Sequence, residues 1–106
     1  KMSEDIDVLV DRLAQQEEGT NDSQKVLAFT LSTCQWCKKA KQYLRDNEIK
    51  FRYVDIDNID PMDKAKILNY LRNSFPDKRI SYPFIICDDQ AIVGYSPNKY
   101  EEVMKK

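Results

Sequence analysis

The chain has 106 residues, 42% of them hydrophobic, and its 17 basic and 18 acidic side chains leave a net charge of −1. That length suits a single domain with one core, and so balanced a charge offers no global field for nucleic acid or an anionic membrane. No apolar run approaches the roughly 18 residues that a membrane-spanning helix needs, and the polar, acidic start is unlike a secretory signal.

In chain order, Ser3 to Gln16 carries Ile6, Leu9, Val10 and Leu13, the stripe of an amphipathic helix, with Ser3 as N-cap and Gly19 and Asn21 marking the exit. Glu17 to Gln24 reads as a polar linker. Residues 25–31 (Val26, Leu27, Ala28, Phe29, Thr30, Leu31) form a buried strand pattern, and a helix follows to about Asn47. Lys50 to Asp57 reads as a second strand. Strand, helix and strand on short connections make a βαβ unit, so these two strands are expected to be parallel. Asp60-Pro61 starts a helix, with Asp as cap and Pro in its first position, and Ile67, Tyr70 and Leu71 continue its stripe toward Ser74 and Phe75. A loop at 76–79 precedes a third strand, Phe84 to Cys87. Asp88-Asp89-Gln90 turns into a fourth, Ala91 to Val93. Gly94-Tyr95-Ser96-Pro97 breaks the sheet before a last helix, Asn98 to Lys105. The order is α–β–α–β–α–β–β–α, without internal repeats.

The chemistry concentrates in the run from Leu31 to Lys39, where Cys34 and Cys37 form a C-x-x-C pair between a strand and a helix. That context puts the first sulfur at a helix N-terminus, where unpaired N–H groups and the helix dipole favour a thiolate. The thiolate is the attacking species in disulfide exchange, and a second thiol one turn away can resolve the resulting mixed disulfide. Histidine is absent, which removes the commonest proton shuttle near neutral pH, cysteine–histidine hydrolysis and zinc sites mixing the two residue types. An odd number of cysteines with two in this pair argues against a disulfide-stapled secreted fold. A reducing, cytoplasmic setting is expected, with the pair acting as a thiol–disulfide oxidoreductase.

The element order, the pair after the first strand and Ser81-Tyr82-Pro83 before the third strand resemble the thioredoxin superfamily. The short chain and the aromatic inside the pair (Gln35-Trp36) are more similar to glutaredoxins, whose usual motif is Cys-Pro-Tyr-Cys. Val93-Gly94-Tyr95 matches in part a further landmark, the turn before the last helix. The match spans residues 25–105 and has the cast of glutaredoxin-like proteins of anaerobic bacteria and archaea. The resemblance implies an α/β thioredoxin-like fold with a four-stranded mixed sheet flanked by helices. Residues 1–24 would then be an N-terminal helical extension and linker, and 25–106 the glutaredoxin-like domain. It implies catalytic roles for Cys34 as nucleophile and Cys37 as resolving thiol, by either a one-thiol or a two-thiol route. It also implies a substrate groove framed by Trp36, Ser81, Tyr82, Pro83, Gly94, Tyr95 and Ser96, with Pro83 in cis and the backbone of Tyr82 meeting the substrate strand. No metal or cofactor is expected, glutathione being a possible co-substrate. The partners would be disulfide-containing proteins and, as electron donor, a thioredoxin-type reductase or glutathione, with the protein a monomer.

Two departures bear on the donor. Glutaredoxins usually carry a lysine three residues before the first cysteine, where this chain has Leu31, and their last turn commonly holds a second glycine and an aspartate, where it has Val93 and Ser96. Both bear on glutathione recognition, and the Leu31 departure shifts the weight toward a protein reductase. Several residues admit two readings. Trp36 is either an exposed contact for partners or folded back on the surface. Lys38 and Lys39 read first as a solvated helix face, and secondarily as charges favouring the thiolate. Cys87 reads as a buried small hydrophobe. Asp55 and Asp57 are either a proton relay near Cys37 or, by preference, a solvated strand end. A different functional class, an iron–sulfur cluster or metal carrier using Cys34, is the alternative; in the family it goes with Gly-Phe-Ser after the first cysteine, from which Gln35-Trp36-Cys37 departs.

Overall fold

The computed structural model describes residues 4–104; the expected cap at Ser3 and the last position of the final helix, Lys105, lie outside them. The elements are α1 (Glu4–Leu13), β1 (Gln15–Glu17), β2 (Val26–Thr30), α2 (Gln35–Asp46), β3 (Phe51–Asp55), α3 (Pro61–Ser74), β4 (Phe84–Cys87), β5 (Gln90–Val93) and α4 (Pro97–Met104), with one 3₁₀ turn at Ile56–Asn58. They build a mixed α/β sheet of order β1-β3-β2-β4-β5. β2 and β3 run parallel, as a βαβ unit requires, and every other pair is antiparallel. This is the thioredoxin-like arrangement with an added N-terminal helix.

Alternation along the strands divides the core into two layers. Leu27, Phe29, Val54, Phe84, Ile86 and Ala91 pack on one face against Ile6, Leu9 and Val10 of α1 and Ile67 and Leu71 of α3. Val26, Ala28, Phe51, Ile85 and Ile92 pack on the other against Ala40 and Leu44 of α2 and Tyr100 and Met104 of α4. β2 is central, so all five of its residues are buried. That double burial explains why its sequence is a continuous apolar run rather than an alternating one. Cys87 lies in the α2/α4 layer at 2% exposure, the buried position expected for it.

The sheet has five strands, one more than the four expected. Gln15, Gln16 and Glu17 pair in register with Tyr53, Arg52 and Phe51, so the first helix ends at Leu13 instead of Gln16. These residues carry no apolar alternation. Their strand exists because the free edge of β3 supplies backbone partners and because Arg45 grips Glu17 through two nitrogens at 2.9 and 2.6 Å. The segment read as a polar linker is likewise tied down: Asn21 bridges Ile49, with Asn21 N–H donating to Glu48 O and Lys50 N–H to Asn21 O. Other boundaries move by one or two residues. β2 stops at Thr30, β3 stops at Asp55 as the chain turns into the 3₁₀ segment, β5 begins at Gln90, and α4 begins at Pro97.

Candidate active site

β2 and the loop 31–33 deliver Cys34 to the start of α2. Cys34 is extended (φ −82°, ψ 117°) and caps the helix with its own sulfur, accepting the Cys37 N–H at 3.1 Å. An N–H that would otherwise be an orphan of the first turn thus points at Cys34 Sγ. The loop before it is held by Asp57, whose carboxylate accepts both the N–H and the hydroxyl of Ser32. Those bonds hold the Asp57 carboxyl below the usual range.

Cys34 is partly exposed and Cys37 fully buried, both as free thiols. Burial is the main reason the Cys37 thiol is pushed up to about 12, with the adjacent Cys34 sulfur adding to it; a bond with the Leu31 backbone and the charge of Lys41 pull the other way. The two sulfurs are therefore unequal: the outer one is accessible and hydrogen-bonded as an acceptor, the inner one is held as a neutral thiol.

Behind them lies a polar cluster that the sequence pattern did not single out as a unit. Lys41 Nζ meets Asp55 Oδ1 at 3.2 Å, with side chains only 12% and 14% exposed, and stands 3.8 Å over the Tyr53 ring. The Thr30 hydroxyl donates to the same Asp55 oxygen at 2.5 Å. Asp55 is thus a part-buried, paired carboxylate rather than the solvated strand end preferred for it, whereas Asp57 is exposed and spent on Ser32. The signal for Lys41 was its position four residues after Cys37, one helical turn further along the same face.

Two segments remote in sequence meet the helix turn that carries the pair. The Tyr82–Pro83 peptide is cis, as expected. Pro83 O accepts the Gly94 N–H at 2.7 Å. Tyr95 stacks on Trp36 with ring centroids 5.9 Å apart and planes 23° from parallel, and Lys39 Nζ sits 5.8 Å from the Trp36 ring. Trp36 nevertheless remains 58% exposed: its ring leans on Tyr95, as the folded-back reading expected, while much of its surface stays open. Tyr82 is half-buried, and burial together with Cys37 pushes its phenol upward against the opposing charge of Arg72. Gly94, Tyr95 and Ser96 are half-buried beside it, and Ser81 is exposed. Among the described residues no group of three or more His, Cys, Asp or Glu side chains could hold a metal ion, and no helix is long and apolar enough to cross a membrane.

A dithiol at a helix start, beside a cis-proline loop on a central parallel strand, defines a thioredoxin-fold thiol redox protein. Comparison with known proteins narrows the class. The glutaredoxin family model matches residues 26–92, and the chain belongs to the glutaredoxin family. Among solved structures it is similar to a glutaredoxin from Methanosarcina mazei (TM-score 0.76, 32% identity, 89% of each chain covered). It is also similar to methanoredoxin from Methanosarcina acetivorans (TM-score 0.73, 32% identity, 83% of this chain and 90% of that one). A glutaredoxin-like 8.6 kDa protein encoded in the rubredoxin operon of Clostridium pasteurianum is 31% identical over 78 residues, 74% of this chain and 95% of the relative.

Proposed function

We propose that the protein is a two-thiol disulfide reductase in which Cys34 attacks and Cys37 resolves. The observation that carries this reading is the inequality of the two sulfurs: an accessible Cys34 Sγ receiving the Cys37 N–H, and a fully buried Cys37 one turn behind. In the first step Cys34 Sγ bonds to one sulfur of the target. The target S–S bond breaks, and its second sulfur leaves with the electron pair and takes a proton from solvent. Cys37 then loses its proton and attacks Cys34 Sγ, releasing the first target sulfur as a thiol. The target has gained two electrons and the pair has become a Cys34–Cys37 disulfide.

Either a protein dithiol reductase or two glutathione molecules would return the electrons. Leu31 supports the protein donor: it packs against the α1/α3 core layer, so the position offers no cation for a small-molecule carboxylate. Stacked Trp36 and Tyr95, with the backbone of Tyr82, would line a groove for an extended segment of a disulfide-bearing protein. No resident cofactor is needed, because the pair itself holds both electrons, and a reducing compartment such as the cytoplasm would keep it charged.

Insulin reduction by the wild type, Cys34→Ser and Cys37→Ser tests this. Activity is expected to vanish in Cys34→Ser and to fall sharply in Cys37→Ser, with a mixed disulfide accumulating on Cys34. Turnover persisting in Cys34→Ser would refute the assignment.

A further inference from the structure

Gly94 is the hinge of the turn that carries Tyr95 to the site. Its φ of +88° lies in the left-handed region that favours glycine, while nothing stands within 4 Å of where a Cβ would be. Backbone conformation, not space, requires glycine here. The same freedom that lets glycine adopt this shape would let the turn wander unless its backbone groups were held. Both are held. The Gly94 N–H donates to Pro83 O at 2.7 Å, and the Gly94 carbonyl accepts the Tyr100 hydroxyl at 2.6 Å.

That carbonyl belongs to the peptide leading into Tyr95, so its orientation sets the direction in which the Tyr95 side chain departs. Tyr95 in turn stacks on Trp36, between the two cysteines. Tyr100 is fully buried in the α2/α4 core layer, packed edge-on against Tyr43 at 5.3 Å and Tyr95 at 6.0 Å. Its ring cannot swing away without opening that layer. Burial also pushes its phenol above the usual range, so the hydroxyl stays a donor well into alkaline solution. A buried anchor in the core is thus connected through one hydrogen bond to the glycine of the turn that carries Tyr95.

Building on the disulfide-exchange reading, we propose that Tyr100 is a positioning residue whose hydroxyl, by fixing the Gly94 carbonyl, holds Tyr95 against Trp36 and shapes the aromatic wall of the substrate groove. The hydroxyl, not the ring, carries this role.

Tyr100→Phe separates the two, since it keeps the packed ring. Trp36 is the single tryptophan, so acrylamide quenching of its fluorescence reads the stack directly, with Tyr95→Ala marking the fully unstacked limit. Tyr100→Phe is expected to shift the quenching constant toward that limit while its far-ultraviolet circular dichroism stays that of the wild type. In insulin reduction KM is expected to rise about fivefold with kcat within about twofold, the size of losing one hydrogen bond that orients a binding surface. Adding Tyr100→Phe to Tyr95→Ala is expected to cost nothing more. Quenching identical to wild type in folded Tyr100→Phe would overturn the proposal, as would equal KM rises that simply multiply in the double variant. A wild-type protein inactive toward disulfides would sink the exchange reading instead, and the quenching comparison would still decide whether Tyr100 holds the stack.

Discussion

The resolving step offers the sharpest test of the unequal sulfurs. Suppose Cys34 is loaded with a chromophoric thiol as a mixed disulfide, and release of that thiol by Cys37 is followed in a stopped-flow instrument between pH 6.0 and 8.5. In the free dithiol the Cys37 thiol is pushed up to about 12, with burial as the first cause and the Cys34 sulfur behind it. Forming the mixed disulfide removes the charge and hydrogen bond of Cys34 but leaves Cys37 buried, so it still ionises above the 9.0 of an ordinary cysteine. Over this range the thiolate is a minor species, about one thiol in 10² to 10⁵ at pH 7, and its amount grows tenfold per pH unit. The release rate should therefore climb with unit slope, about 300-fold across the range. Lys41→Met removes a charge that favours the thiolate, and should lower the whole line without changing its slope. Cys37→Ser should show no release. A rate that levels off below pH 8 would mean that burial does not hold this thiol protonated, and the division of labour between the sulfurs would fall.

Two further outcomes concern close backbone packing and the loop before Cys34. A Cβ at Gly19 would run into the backbone carbonyl of Glu48, a group already committed to the Asn21 N–H. Gly19→Ala should cost about 1–3 kcal/mol through overpacking, read as a lower urea midpoint at unchanged m-value; an unmoved midpoint would contradict the close approach. Asp57 has its carboxyl lowered by its two bonds to Ser32, so its contribution is present above the ordinary 3.8 and fades as pH falls through the lowered folded value. Asp57→Asn should accordingly unfold more easily than wild type at pH 7, by a margin that narrows as pH falls below 3.8, and a gap independent of pH would show that the carboxylate charge plays no part.

Local patterns in this chain made most of the fold legible. The apolar run within residues 25–31 announced a buried strand, Asp60-Pro61 announced a helix start, and the apolar stripe of α1 announced a helix with a face to bury. Cys34 and Cys37 were readable for the same reason: spacing in a helix is local, so a pair three apart at a helix start carries its geometry with it. The cis bond at Pro83 and the glycine at 94 were legible through the resemblance that their order in the chain supports.

What stayed hidden depends on partners distant in sequence. β1 has no strand pattern of its own, and it forms because the remote edge of β3, paired in the register Gln15 to Tyr53, has hydrogen-bonding groups to satisfy. Asp55 looks like a solvated strand end until the fold brings Lys41 and the Thr30 hydroxyl onto it. Tyr100 was not singled out in the sequence at all; only in the fold does its hydroxyl meet the Gly94 carbonyl. Sequence alone determined where the reactive pair stands and which segments could be helix or strand, because backbone preference and periodicity act over a few residues. Tertiary structure decided which carboxylate is paired and where the Tyr100 hydroxyl finds its acceptor, because solvent exclusion and hydrogen-bond pairing exist only once remote segments meet.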